Sequence, residues 1–236
     1  MTQPLRLFVD APLASEAEVA LTEPQAHYVT SVMRRTAGDP ILVFNGQDGE
    51  WLASLSSVSR RGASVRLTHQ TRPQRDESGG PWLAFALLKR DATDLVVRMA
   101  TELGSAALLP VITARTNAAR VNEQRLLAIA IEAAEQCERL TVPAILPPRP
   151  LAAVLDAWPA DRELFAAIER ADSPPLVRAR GPVGLLIGPE GGFAPGELDA
   201  FARSPIVTPA SLGPRILRAE TACLAGLALL QAPGCG

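Results

Sequence analysis

The sequence predicts an α/β protein: a small β-rich, barrel-like module followed by a larger domain built on a parallel sheet. Three observations lead there. The stretches "WLAFALL" (82–88), "AALLPVI" (106–112) and "VGLLIG" (183–188) are apolar throughout and alternate with segments of helical period. That is the pattern of strands buried on both faces of a sheet. Residues 1–72 instead carry strands with polar residues interleaved. Between the two lies "TRPQRDESGGPW" (71–82), whose prolines, paired glycines and mixed charges read as a linker. The expected domains are therefore 1–72 and 73–236.

In the first module "RLFVD" (6–10) and "PILVFNG" (40–46) are strands, the second ending in the turn formers Asn45 and Gly46. "EWLASLSSVS" (50–59) and "ASVRLTH" (63–69) follow, with "RRG" (60–62) as the turn between them. "EPQAHYVTSVMRRTAGD" (23–39) places Ala26, Val29, Val32 and Met33 at helical spacing, with Gly38 as its stop. In the second domain "DATDLVVRMATELG" (91–104) is a helix capped at Asp91 or Thr93 and stopped by Gly104. "NEQRLLAIAIEAAEQCER" (122–139) is a helix capped by Asn122. "PAIL" (143–146), "LAAVLDAW" (151–158) and "ELFAAIE" (163–169) continue the alternation. Helices are expected at 195–203 and 219–232, with the strand "IVTP" (206–209) between them.

Composition narrows the function classes. With 236 residues, 47% of them hydrophobic and 20% charged, the chain has an ordinary globular make-up. No apolar run reaches the roughly 18 residues of a membrane span. The start, "MTQPLRLFVDAP", lacks the basic region and apolar core of a secretory signal. Three cysteines without CxxC spacing argue against disulfides and against a zinc site, which fits a reducing cytoplasm, the expected location. A net charge of −2 gives no bulk support for nucleic-acid binding. Of 23 basic residues only Lys89 is lysine. Arginine suits phosphate and planar-base contacts, but a genomic codon bias in an Ala- and Pro-rich chain accounts for the imbalance equally well.

Ligands of open α/β sheets gather beyond the carboxyl ends of the strands. Two glycine-bearing segments fall there: "LLIGPEGGFAPGE" (185–197) and "SLGPRILRAETA" (211–222). Together they would form a pocket lined largely by backbone N–H and C=O groups, suited to a neutral or zwitterionic ligand with an adenine. A P-loop is excluded because no lysine lies near Gly188, and the GxGxxG fingerprint is absent. Glu190 would repel a pyrophosphate. The competing reading is that Gly191 and Gly192 merely close a turn.

Taken together, these segments resemble the SPOUT superfamily of RNA methyltransferases, and within it the ribosomal RNA small subunit methyltransferase E family. The resemblance runs through "RLFVD", "HYVTSVMRRTAGDPILVFNGQDGEW", "MATELGSAALLPVITART", "AAEQCERLTVPAI", "LLIGPEGGFAPGE" and "LGPRILRAETA". Arg98 and Met99 stand where that family usually has Gln-Lys, and Met33 stands where it has Leu. The resemblance implies an N-terminal PUA-like barrel that helps hold RNA. It also implies a C-terminal parallel-sheet domain with a deep trefoil knot, S-adenosylmethionine (SAM) as cofactor and a homodimer. The implied reaction is methylation of N3 of a uridine in 16S rRNA of the small ribosomal subunit. Alternatives are a methyltransferase acting on another RNA atom, such as a ribose 2′-oxygen, and a catalytically silent RNA-binding or ribosome-assembly factor.

For the cofactor the resemblance carries over Gly188, Pro189, Glu190, Gly191 and Gly192, with Leu212, Gly213, Ile216 and Leu217 from the second loop. Arg218 and Glu220 are the catalytic candidates: an arginine to stabilise the uracil anion, and a carboxylate to accept a proton or orient that arginine. A local ion pair at a helix start is the competing reading. Arg6, Arg34 and Arg35 are candidate phosphate contacts, against a plain solvated face. The resemblance makes Arg139 a candidate RNA or substrate contact, against simple i, i+4 pairing with Glu135. His27 is read as a core or cap residue, and Cys223 as packed.

Overall fold

A computed structural model describes residues 4–59, 62–77, 79–116, 120–168, 173–177 and 181–232. Two compact units divide the chain. One runs up to Asp76 and takes in Ala134–Thr141; the other comprises Glu77–Ala133 and the chain from Val142 onward.

The first unit contains β1 (Leu5–Phe8), β2 (Glu18–Ala20), α1 (Glu23–His27), β3 (Pro40–Phe44), β4 (Glu50–Ser59) and β5 (Gly62–Arg72). They form one sheet in the order β1-β3-β4-β5-β2, with β1 parallel to β3 and the other pairs antiparallel. Leu7, Val19, Val43, Leu55 and Val65 share its buried core. The short strand β2 escapes sequence reading because only Val19 among its three residues faces inward. The turn expected at 60–62 falls partly outside the described residues.

The helix expected over 23–39 is shorter and changes form. Thr22 caps α1, accepting from the Gln25 N–H, and a π-helical turn follows over Tyr28–Val32. There Met33 N–H donates to the Tyr28 carbonyl at 2.9 Å, and Arg34 ends the run at φ +54. The wider turn keeps Val29 in the core but leaves Val32 57% exposed, so the apparent helical spacing of the two valines does not mark one buried face.

In the second unit lie β6 (Trp82–Ala86), α2 (Arg90–Glu102), β7 (Ala107–Ile112), α3 (Glu123–Gln136, whose last residues belong to the first unit), β8 (Ala144–Ile145), β9 (Arg149–Pro150) and α4 (Leu151–Asp156). They are followed by β10 (Glu163–Ala167), β11 (Val183–Ile187), α5 (Pro195–Arg203), β12 (Val207–Ala210) and α6 (Ala219–Gln231). The strands make one parallel sheet in the order β12-β10-β11-β6-β7-β8, with β9 beside β7. Alternate residues serve opposite faces. Leu83, Phe85, Leu185 and Ile187 pack with Val97, Leu126, Cys223 and Leu227 of α2, α3 and α6. Ala84 and Leu186 pack with Val154 and Phe201 of α4 and α5. Both faces are covered, as the unbroken apolar strands require.

Two helix limits differ from expectation. Lys89, not Asp91 or Thr93, is the N-cap of α2 and makes no side-chain capping bond; Thr93 is buried and its hydroxyl donates to the Leu88 carbonyl. Helix α3 ends at Gln136, and Glu138 turns the chain at φ +62, so Arg139 is not on the helix. Asn122 does cap α3, its Oδ1 accepting from Arg125 N–H at 3.0 Å.

Candidate functional site

A cavity of about 630 Å³ opens at the carboxyl ends of β10, β11 and β12, three neighbouring strands. The two glycine bends meet there. Gly188, Pro189, Gly191 and Gly192 line it after β11, and Leu212, Gly213, Ile216 and Leu217 line it after β12. Glycine serves two distinct needs. A Cβ on Gly188 would sit 3.1 Å from the Phe193 ring, so Gly188 is there for close approach. Gly192 and Gly213 have φ +68 and +114 with open space around them, so they are there for a backbone path that other residues rarely take.

Both local and long-range contacts hold these bends in place. The Gly192 N–H donates to the Pro189 carbonyl at 2.8 Å, closing the first turn. Glu197, in the first turn of α5, accepts from Ala194 N–H at 2.7 Å and from Ala114 N–H at 2.8 Å. One carboxylate thus joins the glycine turn to the loop that follows β7. Arg115 repeats the link, its Nη1 donating to the Gly191 carbonyl at 2.6 Å. On the other side Ser211 N–H donates to the Pro174 carbonyl and Leu176 N–H to the Ser211 carbonyl, each at 2.8 Å. Ser173, Ile168 and Ala167 thereby become wall residues too. Phe193 lies against Phe201 edge to face, with centroids 4.8 Å apart. Arg115, Phe193 and Ser173 line the cavity although the sequence patterns above do not single them out. For Phe193 a signal was present in its place beside the two glycines; for Ser173 there was none.

Glu190 is exposed and, unlike its neighbours Pro189 and Gly191, is not among the lining residues, so the expected cofactor contact of its side chain is not met. Arg218 caps α6 and is exposed, Glu220 sits half-buried in the first turn, and Ala219 between them lines the cavity. Neither Arg218 nor Glu220 is itself among the lining residues, although their neighbours Leu217 and Ala219 are. Among the described residues no ion pair joins Arg218 to Glu220, so the competing reading of a local pair at the helix start is not met.

Residues 80–231 match the RNA methyltransferase domain family, and residues 21–68 match the RNA methyltransferase PUA domain. A ribosomal RNA small subunit methyltransferase E of Rickettsia conorii is 33% identical over 97% of this chain and 96% of its own. The chain belongs to the ribosomal RNA small subunit methyltransferase E family. The Bacillus subtilis member is 30% identical over 90% of this chain and 89% of its own. Among solved structures, the small subunit methyltransferase E of Neisseria gonorrhoeae, bound to SAM, is 27% identical with TM-score 0.85, covering 97% of both chains. A Legionella pneumophila protein solved with SAM as bound cofactor is 28% identical with TM-score 0.87, covering 98% of both.

The arginines expected at RNA divide. In this methyltransferase Arg6 is only 8% exposed, and each nitrogen of its guanidinium is engaged. Its Nε donates to Glu50 at 2.6 Å, Nη1 to the Ala134 carbonyl at 2.7 Å, and Nη2 to the Arg139 carbonyl. It also stacks 3.8 Å above the Phe44 ring. The expectation of a phosphate contact is corrected: Arg6 is a core residue of the first unit. Arg139 is buried as well, its Nη2 donating to Thr141 at 3.0 Å, so it too is withdrawn as a surface contact. Glu135 accepts from the Phe8 N–H at 2.8 Å. Arg34 is exposed and Arg35 half-buried, both beside exposed Tyr28, Val32 and Met33. Cys223 is wholly buried, and burial pushes its thiol well above the usual range, which suits packing and not nucleophilic attack.

Proposed function

We propose that this protein transfers a methyl group from SAM to N3 of a uridine in 16S rRNA. The observation that carries the reading is the convergence of both glycine bends on one cavity beyond β10, β11 and β12. The residues fit the cofactor. The Gly188–Phe193 approach leaves room for a ligand only because no Cβ intervenes. Ile187, Phe193, Leu212 and Leu217 offer apolar walls, and the bends offer main-chain donors and acceptors for a purine edge. Gly188–Gly192 and Leu212–Leu217 would hold it.

When bound, SAM supplies an electrophilic methyl on a sulfonium. The rest falls to the protein. Uridine N3 carries a weakly acidic proton and is occupied in a base pair, so the base must arrive unpaired or extruded. Arg218, between the lining residues Leu217 and Ala219, stabilises the negative charge that develops on the ring; Glu220, two residues on, takes the proton or aligns Arg218. The half-buried start of α6 adds its positive end to the same region. Arg34 and Arg35 of the PUA-like unit contact phosphates.

The family resemblance also supports a trefoil knot in the parallel-sheet unit, a homodimer and a cytoplasmic location. No described helix is long and apolar enough to cross a membrane. Light scattering of the purified protein checks the dimer. The decisive activity experiment incubates the protein with labelled SAM and unmodified small ribosomal subunits, then identifies the product nucleoside. The expected product is 3-methyluridine. A 2′-O-methylated nucleoside, or no incorporation, overturns the assignment.

A further inference from the structure

The methyltransferase unit has a second hollow, of about 320 Å³, that shares no lining residue with the glycine cavity. It lies where the chain leaves β6 and enters α2, against the segment that leads into α3. Lys89, Arg90 and Arg120 line it, with Thr93, Asn122 and Arg125 behind them.

Its charge is unbalanced in a chain whose net charge is −2. Arg125 is neutralised by an ion pair with Asp94. Lys89, Arg90 and Arg120 are exposed, and no described carboxylate pairs with any of them. Asp91, in the same helical turn, does not line the hollow. Lys89 is also the only lysine among 23 basic residues. Asn122 uses its carbonyl oxygen to cap α3, which leaves its amide donors available.

Position adds a reason. β6 lies beside β11 and parallel to it, so the hollow and the glycine cavity open at the same edge of the sheet. A polynucleotide that delivers a base to the cavity passes this edge with its backbone. At about 320 Å³ the hollow has room for a phosphodiester. No aromatic side chain lines it, so a nucleobase would find no stacking platform there.

We infer that Lys89, Arg90 and Arg120 form a phosphate-docking site for the RNA strand flanking the target nucleotide. The inference rests on the RNA methyltransferase reading and adds a substrate contact in the methyltransferase unit itself. Such contacts act by releasing condensed counterions and carry no sequence preference.

The test measures binding of a labelled, unmodified 16S rRNA transcript across a salt series. It compares the wild-type protein, a Lys89→Ala/Arg120→Ala double variant, and Arg149→Ala, which removes an exposed cation on β9 outside the hollow. SAM affinity is measured in parallel by calorimetry. The double variant should bind RNA roughly tenfold more weakly, with a salt dependence shallower by about 0.7 to 0.9 for each phosphate it no longer neutralises. Its SAM affinity should stay at the wild-type value, and Arg149→Ala should match the wild type throughout. An unchanged slope in the double variant, or an equal loss in Arg149→Ala, overturns the proposal. If the wild type binds RNA and the double variant weakens it, but no 3-methyluridine forms, the docking site stands and the proposed reaction fails.

Discussion

Around the glycine cavity the lining side chains are mostly small or apolar, with a few polar ones such as Arg115 and Ser173; at Arg6 a charged side chain and its carboxylate partner are sealed from water. In the cavity two bends leave their backbone open toward a space of about 630 Å³. In the cluster every guanidinium nitrogen of Arg6 donates within the first unit, and Glu50 also accepts from Thr71 at 3.0 Å. Open, glycine-lined backbone is suited to a ligand that comes and goes. A buried ion pair with its lone pairs filled is suited to fixing one arrangement of chain, here β1 against the segment that ends α3. The consequence is that cavity substitutions should cost binding and spare stability, while cluster substitutions should do the reverse.

The strongest way to break that contrast is in the cluster. Arg6→Ala leaves buried Glu50 with the Thr71 hydroxyl and, as its remaining described cation, the more distant Arg72 at 3.7 Å; it should cost about 3–5 kcal/mol in denaturant unfolding of the first unit. SAM affinity in the folded variant should stay within about twofold of wild type. A stable Arg6→Ala protein with weakened RNA binding would restore Arg6 as a phosphate contact. Next comes Gly188→Val, which drives branched carbons between Gly188 and the Phe193 ring. A fall in SAM affinity of about 100-fold, or roughly 2.7 kcal/mol, is expected by calorimetry, with an unfolding midpoint close to wild type. Glu197→Gln is milder. It weakens the two charge-assisted bonds that tie the glycine turn to the loop after β7, and should lower SAM affinity roughly tenfold with the fold intact.

The smallest effect concerns pH. The Leu13 N–H and the Asn45 amide hold the Asp48 carboxyl below the usual carboxylate range. Its folded-state pKa is therefore lower than the unfolded one near about 3.9. The stabilisation is present above that value and is lost as pH falls through the folded pKa. Asp48→Asn should be less stable than wild type in urea at neutral pH, and the gap should close in strong acid. A gap that widens in acid would contradict the assignment.

What could be read from the chain alone follows the same division. The alternation of apolar strands and helices, and the two glycine bends, are local patterns, and each lies where that pattern indicates. Arg6 was misread because its partners lie far away: Ala134 is 128 residues along the chain. The same distance hid Arg115, which reaches Gly191 across 76 residues, and Ala114, which reaches Glu197 across 83. An arginine in a strand looks the same in sequence whether it faces water or a buried carboxylate. The π-helical turn escaped for another reason: helical spacing of apolar residues presumes 3.6 residues per turn, and Tyr28–Val32 departs from it.

The central claim is that both bends grip one SAM molecule. A crystal structure of the protein with SAM tests it most directly. The donor should lie between Gly188–Gly192 and Leu212–Leu217, with main-chain atoms of the second bend on its adenine and its methyl group turned toward Arg218. Density for SAM in any other place, or a methyl group facing away from the start of α6, would contradict it.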